Sequence, residues 1–196
     1  RAMKKFIPLM LLSGAALAQE APFGLPKNTT IQRLEQLGAE DVDDGNYLLS
    51  RAPQSNRAFE FYVAKASPTH GVCQLTAYGL DLNKDAKGTK VREQMNTLRS
   101  AMAAKYGPPS ESHDALDKDS VWTEADEFAA GLADDERTLD AIWNKPNAAM
   151  QKLGLQKITL EAAASDESTT FVVVTYQYIN FDKCINEIRG PVNRGL

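Results

Sequence analysis

Phe59-Glu60-Phe61-Tyr62-Val63-Ala64, then Pro68-Thr69-His70-Gly71, then the run from Val72 to Leu82 decide the fold. The first segment is rich in aromatic residues, closes on Val63 and predicts a strand. Pro68 to Gly71 supplies turn chemistry. In the third segment Val72, Gln74 and Thr76 alternate with Cys73, Leu75 and Ala77. That is the period of a strand with one drier face. Just upstream, Asp43-Asp44-Gly45-Asn46 predicts a turn and Tyr47-Leu48-Leu49-Ser50 a short strand. Three strands on short turns predict an antiparallel meander, because a parallel connection needs a crossover of a dozen or more residues.

Towards the N-terminus, Pro22, Gly24 and Pro26 mark Gln19 to Lys27 as an extended leader. Asn28-Thr29-Thr30 offers a cap for a helix carrying Ile31, Leu34 and Leu37, which Gly38 stops. Towards the C-terminus, Val91, Met95, Leu98, Met102 and Tyr106 follow the helical period. These five are expected in the core, with Arg92, Glu93, Arg99 and Lys105 wet. Gly107-Pro108-Pro109 ends that helix. Ser110 to Asp119 is polar and predicts an exposed loop, and Ser120 to Thr123 a short strand. Glu124 to Ala133 predicts a helix. Arg137 to Trp143 suits strand better than helix, since Leu139, Ala141 and Trp143 alternate. Lys157 to Ala163 and Thr170 to Ile179 predict strands flanking a hairpin connection at Ser165 to Ser168. Phe181 to Ile188 predicts a closing helix.

Segregated antiparallel strands with helices packed on one face define the expected class, α+β. Each half of the chain ends in a meander and then a helix, so the outline admits two similar halves. No residue-level repeat accompanies it.

The first residues speak to location. Met3-Lys4-Lys5, the apolar run from Phe6 to Leu12 and the small-residue site Ala16-Leu17-Ala18 have the three parts of a bacterial secretory signal peptide. Arg1 and Ala2 precede the expected start at Met3. Cleavage is expected after Ala18, leaving residues 19–196 as a single α+β domain. The apolar run is shorter than the roughly 20 residues a membrane-spanning helix needs. No transmembrane segment is expected in the mature chain, and the expected location is periplasmic or secreted. The formal charge is -4, and losing the three cations Arg1, Lys4 and Lys5 takes it to -7. That balance argues against nucleic acid or an anionic membrane as partner, since both need a positive footprint.

Two cysteines, Cys73 and Cys184, occur in the chain. In an oxidising compartment an isolated pair favours a disulfide. A reactive or metal-binding pair is the alternative, but it lacks CxxC spacing. A bridge would close a loop of about 110 residues, worth roughly 4.7 kcal/mol in the chain-entropy model.

Sequence signatures of catalysis are sparse. GxSxG, Ser-x-x-Lys, HExxH and glycine-rich phosphate loops do not occur. The two histidines, His70 and His113, give a triad few members. Asp81-Leu82-Asn83-Lys84-Asp85 begins like a calcium loop, but Ala86 stands where glycine is needed and Arg92 where the bidentate Glu belongs. A capped turn before the Val91 helix is the better reading. The clusters Glu124/Asp126/Glu127 and Asp134/Asp135/Glu136 read as solvated surface rather than as a glycosidase carboxylate pair. Tyr78, Trp122, Trp143, Tyr176 and Tyr178 suit core packing, with a ligand groove as the alternative. No catalytic, cofactor-binding or metal-ligating residue is assigned, and no cofactor is expected.

Gly71-Val72-Cys73, Tyr78-Gly79, Leu98, Lys105 to Pro109, Val121-Trp122, Ile142-Trp143 and Tyr176…Asn180-Phe181-Asp182-x-Cys184 resemble a group of small exported bacterial proteins of unknown function. The resemblance spans most of the mature chain and supports the Cys73–Cys184 bridge. It implies no catalytic residue. Phe23 to Thr30 with Leu37-Gly38 also resembles the α-β-β modules of envelope-assembly proteins and β-lactamase-inhibitor-like domains. Fold likeness of this kind does not carry function.

The expected function is that of an exported, non-enzymatic binding or interaction protein whose partner is an envelope or secreted protein. A small-molecule or calcium carrier and a carboxylate-dependent hydrolase are the alternatives. An aromatic-lined cavity would favour the first and a raised carboxyl pKa in a cleft the last. The expected binding edge is the strand holding Tyr47, Leu48 and Leu49, because it is short and lies beside a polar loop.

Overall fold

The computed structural model describes residues 21–190. The expected signal peptide and its cleavage after Ala18 lie outside the described residues. The deciding segment forms a hairpin of β3 (Phe59–Ser67) and β4 (Gly71–Gly79). Before it come a 3-10 turn (Pro22–Gly24), α1 (Ile31–Gln36), β1 (Glu40–Asp41) and β2 (Asn46–Leu49). After it come α2 (Thr89–Tyr106), β5 (Glu111–Leu116), α3 (Phe128–Ala133), β6 (Arg137–Trp143) and α4 (Ala148–Lys152). The chain continues through β7 (Leu155–Asp166), β8 (Thr169–Tyr178) and α5 (Phe181–Arg189).

All strands join one antiparallel sheet in the order β1-β2-β3-β4-β8-β7-β6-β5. It consists of two four-strand meanders whose last strands, β4 and β8, lie side by side. Thr76 faces Thr175 at that junction, with hydroxyls 3.3 Å apart.

Register and burial together locate the core. Tyr47, Ala64, Leu75, Tyr176, Ile158 and Trp143 form one straight row across six strands, and every one is buried. Leu49, Tyr62, Ala77, Val174, Leu160 and Ala141 form the next, equally dry. Against them pack Leu34 of α1, Val91, Met95, Met102 and Tyr106 of α2, Phe128 and Leu132 of α3 and Met150 of α4. Leu98 is half-buried rather than inside, because it borders a cavity under α2.

Caps set the helix ends. Arg33 N–H donates to Thr30 Oγ1 at the start of α1, and Gly38 follows its end at φ +84°. At α2 the buried Asp85 carboxylate accepts from Lys90 N–H at 2.8 Å and Val91 N–H at 3.0 Å. Gly88 just before the helix sits at φ +69°, and a Cβ there would stand 2.0 Å from Phe128 Cδ1.

Several expectations change. Ser110 to Asp119 is not a loop: it contains β5, an outer strand whose first five residues are exposed. Such a strand has no buried face to impose apolar alternation. Ser120 to Thr123 is loop, and the helix expected from Glu124 begins at Phe128. The leader is not extended throughout. It bends through Pro22–Gly24 and puts Phe23 at φ +50°.

Cys73 and Cys184 are bonded. Cys73 is the extra residue of a bulge: Lys65 faces Gln74 and Ala66 faces Val72. Ala66 and Val72 belong to the core, whereas the bulge turns Cys73 out of the alternation towards α5. Helix α5 rests on β3 and β4, and Arg189 near its end acts electrostatically on Lys65.

Candidate binding face

The face of the sheet turned away from the core rows carries the alternate residues. One row reads Leu48, Val63, Thr76, Thr175, Thr159, Ile142 and Glu111. The next reads Phe61, Tyr78, Val173, Glu161, Asp140 and His113. A third, with Lys65, Gln74, Gln177 and Lys157, runs towards α5. Leu48, Phe61, Val63, Tyr78 and Ile142 are half-buried. That exposure belongs to the part of this face beyond α5, which packs against β3 and β4 beside Cys73.

The apolar end of this face is built by β2, β3 and β4. The Phe61 and Tyr78 rings stack with centroids 4.6 Å apart and planes 13° from parallel. Beside them opens a groove of about 500 Å3 lined by Gly38, Glu40, Leu48, Ser50, Glu60 and Phe61. Glu60 reaches it because a second bulge makes it the extra residue between Phe59 and Phe61. The groove therefore has an apolar wall and a carboxylate rim.

The other end is acidic. Glu161 is exposed along its side chain, yet loss of solvent around the carboxyl, then the charge of Asp140, raises its pKa. Burial and Glu161 in turn raise the Tyr78 phenol. His113 Nδ1 lies 2.7 Å from Asp140 Oδ1 across the β5–β6 pair.

The expected edge needs correction. β2 is not outermost at Tyr47 and Leu48, since β1 pairs with both. Tyr47 and Leu49 point into the core and are 7% and 1% exposed. Leu48 alone of the three faces the open side. The short strand has a strand beyond it because the Asp43–Asn46 turn folds Glu40 and Asp41 back alongside, with Asp43 N–H donating to Asp41 Oδ1.

The remaining candidates separate. Asp85 also accepts from Thr170 Oγ1, at 2.7 Å, so its two oxygens are engaged by protein donors. Asp81 is exposed. No group of three or more His, Cys, Asp or Glu among the described residues is arranged to hold a metal ion. His70 lies in the β3–β4 turn, its N–H donating to Ser67 Oγ. In the two acidic clusters Glu124, Asp126, Asp134 and Asp135 are exposed, while Glu127 and Glu136 are half-buried. Trp143, Tyr176 and Tyr178 are core residues. Trp122 is half-buried in its loop, donating to Asp134 Oδ2.

Phe61, Glu161 and Asp140 were not singled out by the sequence motifs. The signal was present in β7, where Lys157, Thr159 and Glu161 alternate with Ile158, Leu160 and Ala162. That period marks a second, wetter face but not what meets on it. Comparison of the chain with protein-family models, with curated proteins and with solved structures found no match.

Proposed function

We propose that this is an exported, non-enzymatic binding protein that uses the open sheet face to hold an envelope or secreted protein. The observation carrying this reading is the stacked Phe61–Tyr78 pair beside an apolar groove rimmed by Glu40 and Glu60. Aromatic anchors in a partly desolvated surface are what interfaces use for affinity. The carboxylates there, with Glu161 and Asp140, favour a partner patch that carries Lys or Arg around an apolar side chain. The Cys73–Cys184 bond supports an oxidising compartment, and no helix among the described residues is long and apolar enough to cross a membrane.

A hydrolase is favoured by one observation. Glu161, with its raised pKa, lies beside a second carboxylate, Asp140. Open sheet rather than a cleft surrounds them, which gives a substrate little to enclose it.

The test is partner capture. Leu48→Lys should abolish it while leaving the melting temperature nearly unchanged, because Leu48 lies outside the core. Leu49→Lys serves as the folding control and should lose structure. Capture by Leu48→Lys equal to that of the native chain would refute the face. Turnover of a glycan that disappears in Glu161→Gln would replace binding by hydrolysis.

A further inference from the structure

The side of the sheet opposite the proposed interface holds a cavity. Between α2, the Pro22–Gly24 turn and the core rows lies a space of about 210 Å3. Phe23, Phe59, Tyr106 and Tyr176 give it aromatic walls, and Asn56 and Lys105 give it a polar side. Phe23 stands edge-on to Phe59 and to Tyr176, at centroid distances of 5.3 and 5.9 Å, and Tyr106 meets Tyr176 at 6.3 Å. Edge-to-face walls of this kind suit a further ring, whose faces and edges find complementary partners.

The wall also has a polar point. The Tyr106 and Tyr176 rings meet there, and the two phenols act on each other electrostatically. Each phenol hydroxyl offers one O–H to donate and lone pairs to accept with. Burial raises both phenols, Tyr106 to about 12, so they stay neutral donors at any physiological pH.

Phe23 is held over this space in a costly backbone conformation. Its φ of +50° is left-handed, a region non-glycine residues seldom enter. Gln54 N–H donates to Phe23 O at 3.0 Å, and the Tyr178 hydroxyl donates to Leu25 O. The turn is thus fixed on both sides with the ring aimed inward.

We propose that this cavity binds a small neutral aromatic molecule with one hydrogen-bonding group, of the phenol or indole class. An apolar cavity of about 150 Å3 accommodates benzene. The larger space here takes a substituted or small fused ring, with the polar group at the tyrosine pair. This site does not depend on the open face and is tested separately.

The experiment follows the methyl signal of Met102 by NMR in the full chain while phenol, indole and benzene are added. Phenol and indole should shift it saturably, with a dissociation constant of about 1 mM or tighter. Ala101→Trp, at an exposed position on the cavity mouth, should remove the shift without changing the melting temperature. Leu98→Trp gives a second obstruction should the first perturb folding. Tyr106→Phe should weaken phenol and indole by about tenfold, the scale of one hydrogen bond, and leave benzene unaffected. Absence of a saturable shift, or an unchanged affinity in both obstructed variants, would overturn the site. Equal loss of benzene and phenol in Tyr106→Phe would overturn the role given to the hydroxyl.

Discussion

Asp85 receives three hydrogen bonds on two oxygens, from two backbone N–H groups of α2 and from Thr170 of β8. One side chain therefore starts the longest of the described helices and ties it to a central strand. Asp85→Ala would remove the cap and leave buried donors unpaired. A loss of about 2–3 kcal/mol is expected from chemical denaturation, cap and buried hydroxyl together. Asp85→Asn should recover part of it, since one amide oxygen still accepts. Calcium should leave the native melting temperature where it was. A calcium-dependent rise would mean that the Asp81–Asp85 segment opens to take the ion.

At the level of elements, legibility followed burial. The β3–β4 and β7–β8 hairpins and α2 each have a dry side, and their periods of two or 3.6 show it in the residues. β5 has nearly none, so its polar run reads as loop. β1 is two residues long, and pairing rather than composition makes it a strand. Cys73 was legible as a bridge partner but not as a bulge, because alternation in β4 runs through it without a break. The open face was legible strand by strand. Its rows needed the register, which brings Glu161 of β7 between Val173 and Asp140. That placement has a pH consequence. A raised carboxyl pKa means that the folded state holds the proton more tightly than the unfolded chain. The charged form costs stability at neutral pH. The cost is relieved as pH falls through the folded pKa, and wholly relieved below the unfolded value of about 4.3. Glu161→Gln should therefore melt higher than the native chain at pH 7, by about 1 °C given the solvent screening of an exposed group. The two melting temperatures should converge near pH 4. A lower melting temperature for the variant at pH 7 would show that Glu161 has a stabilising partner instead.

Across the whole molecule, the disulfide links β4 of the first meander to the helix that follows the second. Reduction, or Cys73→Ser with Cys184→Ser, should cost about 2–5 kcal/mol, the usual range for a native bridge in a small domain. For a chain of this size that is a fall of roughly 5–15 °C in Tm, read by calorimetry. A fall under about 2 °C would mean that sheet pairing alone holds α5 in place. The sheet order has a temporal consequence as well. Thr76 and Thr175 are 99 residues apart yet face each other at the centre. The first meander is complete at Gly79, but the inner edge of β4 has no partner until β8 exists. The middle of the sheet is thus a seam between the first and second meanders, and it cannot close before β8 has been made. A chain folding as it leaves the ribosome would display that bare edge throughout the synthesis of the second half, inviting wrong strand pairings. A chain kept unfolded until its end is released brings both edges forward together.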